Sequence, residues 1–425
     1  MIQTVTIVHP FLFAPTRSGV GIDVVLPEAD DIERARLIVD TRNRELAAKI
    51  VGERSVRFDV HDVAPATRHR YRVLLGDDEI ATGSFVTARP PGTAFTFDII
   101  TDTHVFVRDF GPAEMRRFPL DDDELAQYTA QKAHAERVLP QVARNVAADA
   151  PDFLVHLGDV IDCHGLGNFN DAPEDPSFIA RGFLDYRRLL GALTADVPHV
   201  LALGNWDGEN GDYTAAEIAA ARAQRRIYLP NPGPTTYPEG GGPNDDYFAW
   251  TWGDALFVVL NVNTYTTTSH RLWSDPGLPD DWTLGADQLR WLASTLASSG
   301  ARWKFLFIHH AVGGAGPDEV TAAYGRGGGL AAHVGEQARV HTLMREHGAS
   351  VFFYGHDHVF TDMVVDGIHY TLAGRAGTNW VFGSDTLGYA RTWPDSGHVR
   401  VRVEPERVRV ELVNLEREVL HAYEL

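Results

Sequence analysis

Cysteine is almost absent from this sequence, since Cys163 is the only one among 425 residues. A single cysteine excludes an intrachain disulfide, a disulfide-stapled scaffold and a zinc site built from cysteines. Long apolar runs are also missing, because no stretch reaches the roughly 18 residues of a membrane helix. The first apolar stretch, residues 5–15, has neither a basic start nor a small-residue cleavage pattern. We therefore expect a soluble, cytoplasmic protein that does not contact a membrane.

Positive charge is scarce as well. Lysine and arginine number 38 against 58 acidic residues, which gives a formal net charge of −20. Without a basic stripe, the chain is not expected to bind duplex nucleic acid or an acidic membrane face. A small anionic substrate is still compatible with this charge, because bound cations reverse the local field. The composition is compatible with any oligomeric state.

The length of the chain and its 44% hydrophobic content suit two or three domain-sized units. Before about residue 94, short β-type runs separated by turn residues predict a small β-sandwich of the fibronectin III or immunoglobulin type. These runs cover residues 4–8, 35–39, 55–60, 69–75 and 80–86. The Arg89-Pro90-Pro91-Gly92 segment then predicts a linker, so we divide the chain into a β domain at residues 1–92 and a second domain at residues 93–425.

Beyond the linker, strands alternate with helical stretches, which predicts an α/β domain with parallel strands and helices on the sheet faces. The predicted helices cover residues 123–148, 178–193, 215–227, 286–296 and 335–347. Residues 255–262 are predicted to extend the same sheet. A hairpin at residues 362–372 and antiparallel strands at residues 399–403, 407–413 and 419–423 are expected to close a second sheet against the first.

Five short apolar runs in the second domain each end in residues that bind metals. The runs are residues 96–101 before Asp102 and His104, 153–157 before Asp159, 199–203 before Asn205, 304–308 before His309, and 350–354 before His356 and His358. Runs of this kind predict buried strands, and ligands collect at the carboxyl ends of such strands. We therefore expect these side chains to converge on one edge of a sheet.

Oxygen and nitrogen donors of this kind suit manganese, iron, zinc or cobalt better than calcium. A lone aspartate or histidine at a strand end is usually a helix cap or a turn former. Seven such residues in strand-end order make that explanation improbable, and they exceed what one tetrahedral ion needs. They are enough for two ions about 3.5–4 Å apart that share a carboxylate.

The motifs that contain these residues resemble those of the calcineurin-like metallophosphoesterase superfamily. They are Asp102-Thr103-His104, Gly158-Asp159, Gly204-Asn205-Trp206-Asp207, His309-His310 and Gly355-His356-Asp357-His358. The β domain ahead of them, residues 246–250 and residues 288–292 are similar to the purple-acid-phosphatase-like branch. The resemblance implies a four-layer α/β/β/α sandwich and a metal-dependent hydrolase of small phosphate mono- or diesters.

Carried over residue by residue, the resemblance implies two metal ions. Asp102, His104 and His358 would hold the first ion, Asn205, His309 and His356 the second, and Asp159 would bridge them. Asp159 and Asn205 are also expected to take part in catalysis. An exchange of roles between His309 and His310 stays open, because Ala311 replaces the proline that usually follows. Asp162 stands where purple enzymes have a tyrosine, so an iron-tyrosinate colour is not expected.

The resemblance also implies attack on phosphorus by a hydroxide, because paired cations lower the pKa of a bound water to about 7. The family's third motif has a histidine beside the leaving group, but this chain has Trp206 there. Indole is no acid near neutral pH, so we expect a preference for good leaving groups unless Asp207, His164 or His310 donates the proton. Two alternatives are a catalytically impaired metal-binding module and a dimetal hydrolase of another phosphorus ester.

Overall fold

The computed structural model describes residues 9–27, 32–40, 44–106, 120–162, 176–211, 213–267, 279–316, 335–382 and 388–425. The strands are β1 (Phe11–Phe13), β2 (Val20–Val25), β3 (Ala35–Val39), β4 (Arg44–Ala47), β5 (Lys49–Ile50), β6 (Ser55–Val60), β7 (Arg68–Leu75), β8 (Asp78–Val86), β9 (Phe95–Ile100), β10 (Val105–Phe106), β11 (Phe153–His156), β12 (Ile161–Asp162), β13 (His199–Leu201), β14 (Phe248–Trp252), β15 (Ala255–Val259), β16 (Trp303–Phe307), β17 (Val351–Tyr354), β18 (Phe360–Val365), β19 (Ile368–Ala373), β20 (Gly397–Val403), β21 (Val408–Asn414) and β22 (Val419–Glu424). The helices are α1 (Asp122–Asp149), α2 (Pro176–Leu190), α3 (Leu193–Asp196), α4 (Ala215–Tyr228), α5 (Gly285–Ser298) and α6 (Gln337–His347), and a 3-10 turn covers Ile32–Arg34.

Two of these helices begin at capping boxes that are visible in the sequence. Asp121 accepts a hydrogen bond from the backbone N–H of Glu124 before α1, and Thr214 accepts one from Glu217 before α4. In both, the glutamate side chain accepts a hydrogen bond from the backbone N–H of the capping residue. Each capping box thus satisfies two backbone N–H groups that have no partner within the helix.

The first large sheet has ten described strands in the order β22-β21-β20-β9-β11-β13-β1-β2-β6-β5. Strands β9, β11 and β13 run parallel at its centre, and the C-terminal strands β20 to β22 extend it in antiparallel pairs beside β9. We expected these C-terminal strands in the second sheet, so that prediction is wrong.

The second large sheet has the order β14-β15-β16-β17-β19-β18 among the described strands. Strands β15, β16, β17 and β19 run parallel, and β18 and β19 form the hairpin expected at residues 362–372, which turns at Asp366-Gly367. Strand β15 therefore lies in this second sheet. The prediction that residues 255–262 extend the sheet of β9 is wrong.

The two large sheets pack face to face over a core rich in phenylalanine. Phe97 and Phe153 of the first sheet stack with ring centroids 5.4 Å apart, and Phe97 meets the edge of Phe257 from the second sheet at 5.1 Å. The other face of the first sheet is covered by α1 to α4, and the other face of the second sheet by α5 and α6. This arrangement confirms the predicted four-layer α/β/β/α architecture.

The N-terminal strands form a β region, as expected. Strands β3, β4, β7 and β8 form a separate four-stranded sheet that packs on β2 and β6. Strands β1, β2, β5 and β6 belong to the first large sheet, which β1 joins by parallel pairing of Phe13 with His199 of β13. Strands from before and after residue 92 are therefore hydrogen-bonded within one sheet. The division of the chain into two domains at residue 92 stays a prediction. Among the described residues, every helix is too short or too polar to span a bilayer.

Candidate metal centre

The strand ends of both large sheets contribute to one buried cluster. Strands β9, β11 and β13 of the first sheet precede Asp102, His104, Asp159 and Asn205, and β16 and β17 of the second sheet precede His309, His356 and His358. The predicted convergence on the edge of a single sheet is therefore wrong in one respect. The cluster lies where two packed sheets end together, and it draws side chains from both.

One group within the cluster contains Asp102, His104, Asp159 and His358, with one potential ligand atom of each lying within 4.8 Å of the others. The Nε2 atoms of His104 and His358 are 3.3 Å apart, and His358 Nε2 is 3.2 Å from Asp102 Oδ1. All four residues are buried. The arrangement aims two imidazole nitrogens and two carboxylates at a common point.

The second group contains Asp159, His309 and His356. His309 Nε2 lies 3.1 Å from Asn205 Oδ1 and 3.1 Å from His356 Nδ1. Asp159 belongs to both groups, because its Oδ2 atom is 3.0 Å from His309 Nε2 and 3.5 Å from His104 Nε2. A carboxylate oxygen between two sets of donors is the arrangement that a bridging ligand requires.

The backbone is strained at most of the clustered residues. Five of the seven clustered residues are non-glycine residues with positive φ, namely Asp102 (52°), His104 (40°), Asp159 (53°), His356 (78°) and His358 (59°). Each such residue typically costs on the order of 1–3 kcal/mol, and such strain concentrates at functional sites. The fold therefore holds these side chains in place at a conformational cost.

Two motif glycines are required by close approach. A Cβ atom at Gly355 would overlap Thr101 Oγ1 and lie 2.8 Å from Asp102 Oδ2. A Cβ atom at Gly204 would overlap the backbone nitrogen and Oδ1 of Asp159. Any larger residue at either position would push the strand ends, and the side chains after them, away from each other.

Hydrogen bonds to backbone carbonyls orient two of the histidines. His309 Nδ1 is 2.8 Å from the carbonyl oxygen of Leu157, and His358 Nδ1 is 3.1 Å from that of Trp380. A carbonyl only accepts, so in each case Nδ1 carries the proton and the Nε2 lone pair of the neutral ring faces the cluster. This is the usual orientation of metal-binding histidines.

The charged groups of the cluster perturb one another. Burial lowers the pKa of His309, but the neighbouring carboxylate of Asp159 outweighs it and raises the pKa to about 9. Burial raises the pKa of Asp102, yet His358 and His104 hold it well below its usual value. In the absence of an ion, protons on imidazole supply the positive charge that the two carboxylates demand. A cation would compete with those protons, so its affinity should rise with pH.

Three further residues were predicted to take part in catalysis. The carboxylate of Asp207 accepts backbone N–H bonds from Gly204 (2.7 Å), Asp159 (3.1 Å) and Val160 (2.8 Å), so it ties the two motif loops together. His310 is buried beside the cluster, with its ring 4.8 Å from that of His356 and its Nδ1 atom 2.9 Å from the Ala311 carbonyl oxygen. His164 lies outside the described residues. Catalytic roles for all three stay predictions.

Sequence reasoning missed two residues that border the cluster. Trp380 packs against the ring of His104, with centroids 5.8 Å apart, and its carbonyl holds His358. Gln131, buried on α1, donates to the His104 carbonyl oxygen (3.4 Å) and accepts from the backbone N–H of Asn379 (2.8 Å). Only the position of Trp380 shortly after a strand of the second sheet signals proximity to the site. Nothing in the sequence distinguishes Gln131 from other helix residues.

A third group of potential ligands lies away from the cluster, between β9, β20 and the end of α1. It consists of Asp98, Asp149 and His398. Arg400 and Arg417 bind Asp149 Oδ1 at 2.8 and 2.6 Å, and His398 Nε2 lies 2.8 Å from Asp149 Oδ2. Because two guanidinium groups already neutralise this group, we assign it to an ion-pair network and not to a metal.

Comparison with solved structures supports the assignment of the fold. The structure of PhoD aligns with 99% of this chain and 88% of its own, with a TM-score of 0.68 and 17% sequence identity. Purple acid phosphatase PPD1 from yellow lupin (Lupinus luteus) seeds aligns with 98% of this chain and 73% of its own, with a TM-score of 0.66 and 12% identity. None of the curated proteins compared with the chain matches it.

The sequence model of the calcineurin-like phosphoesterase family matches residues 95–360, which is more than half of the chain and includes all seven clustered residues. Membership in this family implies a binuclear metal centre, and the two groups that share Asp159 fit one. The resemblance inferred from the motifs is therefore confirmed. The chain belongs to the calcineurin-like phosphoesterase family and is a metal-dependent phosphoesterase.

Proposed function

We propose that this protein hydrolyses small phosphate mono- or diesters with two ions drawn from manganese, iron, zinc and cobalt. The observation that carries the proposal is the position of Asp159 Oδ2, which lies 3.0 Å from His309 Nε2 and 3.5 Å from His104 Nε2. One carboxylate oxygen is thereby offered to two sets of donors.

The donor set fits such ions. Asp102, His104 and His358 would hold one ion and Asn205, His309 and His356 the other, with Asp159 shared between them. When bound, the ions supply a nucleophile near neutral pH and neutralise the oxygens of the phosphoryl group. Mixed imidazole, carboxylate and amide donors favour these metals over calcium or magnesium.

The surrounding residues prepare the two carboxylates for this work. The backbone N–H of Trp206 donates to Asp159 Oδ1 at 2.8 Å, which leaves Oδ2 turned toward the histidines. The Thr101 hydroxyl and the backbone N–H of His356 donate to Asp102 Oδ2 at 2.8 and 2.9 Å, which leaves Oδ1 turned toward His358. Each carboxylate is thus anchored through one oxygen and presents the other.

Good leaving groups are favoured in this proposal. Trp206 occupies the place of the motif histidine, and its ring packs edge-on against His104 with centroids 5.4 Å apart. An indole donates no proton to a leaving alkoxide, and general acid catalysis is typically worth about 10²–10⁴-fold. Asp207, one possible replacement, already accepts several backbone N–H bonds. Aryl and other stable leaving groups need no such acid.

A metal-binding module with impaired catalysis is the second candidate, and Trp206 is the observation that favours it. The complete donor set argues for activity, because decay of a catalytic site would be expected to remove ligands as well as the acid. A dimetal hydrolase of another phosphorus ester would use the same donors. Both alternatives lead to different outcomes in the experiment below.

Metal reconstitution tests the proposal directly. Metal-depleted protein is loaded separately with manganese, iron, zinc or cobalt and assayed on p-nitrophenyl phosphate, bis(p-nitrophenyl) phosphate and a p-nitrophenyl phosphonate ester. We expect turnover of a phosphate ester with at least one metal, and its loss in Asn205→Ala loaded in the same way. No turnover with any metal would favour the binding module, and turnover of the phosphonate alone would favour the other hydrolase.

Replacing Trp206 by histidine should restore a proton donor. We expect Trp206→His to accelerate hydrolysis of alkyl phosphates by about 10²-fold or more and to lower that of p-nitrophenyl phosphate, because only the alkoxide needs protonation and only the aryl ester loses contact with the indole. The measurement is kcat/KM across phosphate esters of graded leaving-group pKa. Trp206→Phe serves as the control that removes the indole and adds no donor. Equal acceleration of all esters, or of none, would contradict the role proposed for Trp206.

A further inference from the structure

Trp206 and Trp380 form a continuous aromatic surface beside the metal centre. Their ring centroids are 5.8 Å apart at an interplanar angle of 54°, and both rings pack against His104, at 5.4 and 5.8 Å. Both side chains are only half-buried, so part of each ring faces outward. Phe382 continues the surface against His358, with centroids 4.9 Å apart.

The strand-end framework fixes the position of Trp380. Its carbonyl oxygen lies 3.1 Å from His358 Nδ1, so the segment that contains it also orients a metal-centre histidine. The Gln131 side chain accepts bonds from the Thr378 hydroxyl (3.3 Å) and the Asn379 N–H (2.8 Å) and donates to the His104 carbonyl oxygen. The two residues before Trp380 and the backbone of His104 are therefore held by the same buried amide, and the Trp380 N–H donates to the Thr378 hydroxyl at 3.1 Å. These bonds make the aromatic surface preorganised.

We propose that Trp206 and Trp380 bind a planar aromatic group of the substrate ester, either an aryl group or a nucleobase, next to the phosphoryl group held at the metals. This inference rests on the proposed function and adds a class of substrate to it. Two indole faces at an angle suit one stacked and one edge-on contact with a flat ring. An aliphatic group of equal size would gain only the burial of apolar area.

Position and chemistry both support an aromatic occupant. Both tryptophan rings touch His104, so a group that lies on them is within reach of a phosphoryl group at the His104–His358 side of the centre. Trp206 directly follows the clustered residue Asn205, and its indole packs edge-on against His104. Trp206 cannot protonate a leaving group, but its ring can bind an aromatic one. An aryl oxygen leaves without being protonated, so the two properties favour the same esters.

Binding of phosphonates tests this inference independently of turnover. Metal-loaded protein is titrated by calorimetry with phenylphosphonate, cyclohexylphosphonate and methylphosphonate, none of which is hydrolysed. We expect phenylphosphonate to bind about tenfold more tightly than cyclohexylphosphonate. Cyclohexyl matches phenyl in size but lacks a π face, so this ratio isolates the aromatic contribution. Comparison of phenylphosphonate with a purine-bearing phosphonate distinguishes an aryl group from a nucleobase.

Substitution of Trp380 supplies the second arm of the test. Trp380→Leu should reduce the phenyl-to-cyclohexyl ratio about threefold, because the indole of Trp206 remains, and should change methylphosphonate affinity much less. Trp380→Phe should retain more of the ratio than Trp380→Leu, and elemental analysis of each variant gives its metal content. Trp291→Leu is a matched control, since Trp291 packs on Tyr247 and donates to the Glu239 carbonyl, away from the metal centre.

A phenyl-to-cyclohexyl ratio near one in the native protein would overturn the inference, as would a ratio that survives Trp380→Leu unchanged. Tighter binding of a trimethylammonium-bearing phosphonate than of phenylphosphonate would also overturn it, because it would assign the surface to a cation. If phosphate esters are turned over while any of these results holds, the proposed function stands without the aromatic site. Absence of both turnover and phosphonate binding would remove both.

Discussion

Asp159→Ala is expected to reduce phosphoesterase turnover by about 10³-fold or more, which is the scale of losing a preorganised electrostatic contact at a reacting centre. The substitution removes the oxygen that lies 3.0 Å from His309 Nε2 and 3.5 Å from His104 Nε2. Both groups of donors lose a shared anionic member at once, so the number of ions retained should fall as well. Asp159→Asn, which keeps the shape but not the charge, should cause a smaller loss.

The measurement pairs kcat/KM with elemental analysis after dialysis of the loaded protein. Asp185→Ala is a suitable control, because Asp185 is partly exposed on α2 and, within the described part of the chain, pairs only with Arg188 three residues later. Circular dichroism should show that both variants are folded. Retention of two ions and native turnover by Asp159→Ala would remove the basis for a shared carboxylate.

Arg187→Met should destabilise the protein by about 3–5 kcal/mol, which is the typical effect of breaking a buried ion pair from one side. Arg187 on α2 is fully buried and donates to Asp23 Oδ1 at 2.8 Å and to the Asp23 and His9 carbonyl oxygens at 3.0 and 2.9 Å. Burial raises the pKa of Asp23, against the opposing effect of Arg187 and Arg57. Without Arg187, the Asp23 carboxylate would stay buried, and the 3.2 Å contact to Arg57 would be its one remaining ion pair among the described residues.

Urea unfolding followed by tryptophan fluorescence measures this loss. Arg188→Met is the matched control, because the Arg188 guanidinium is partly exposed and, among the described residues, forms only a surface ion pair with Asp185. Such a pair is worth at most about 1 kcal/mol. Adding Asp23→Leu to Arg187→Met should recover part of the stability, since no unpaired charge is then left inside. Identical unfolding midpoints for Arg187→Met and Arg188→Met would show that the buried pair contributes nothing.

The parts of the fold that the sequence predicted are those with a strong local signal. Strands β3 and β6 have the predicted bounds, and α1 extends the prediction by one residue at each end. A capping box at Asp121 accounts for its first residue. The seven clustered residues were found because each follows a short apolar run. Their order along the chain, and not any single residue, distinguished a metal centre from isolated turn residues.

What the sequence did not predict depends on contacts between distant segments. Strands β1 and β2 were missed because every residue in both is buried, so neither shows the alternation of a half-buried strand. The assignment of β15 to the second sheet was missed for a similar reason, since buried parallel strands have the same composition in either sheet. Trp380 and Gln131 reach the metal centre through segments whose placement no local pattern encodes.

The pairing of β1 with β13 bears on any attempt to isolate the phosphoesterase part of this chain. A protein that started near residue 93 would lack β1 and expose one edge of β13. The unpaired N–H and C=O groups of an exposed strand edge can pair with other chains and form intermolecular sheets. Asn205 follows β13 after a few residues, so such pairing would disturb the very loop that offers this amide. The amino-terminal strands are therefore a protective border for the reaction centre, and shortened versions of the protein would need a substitute for it.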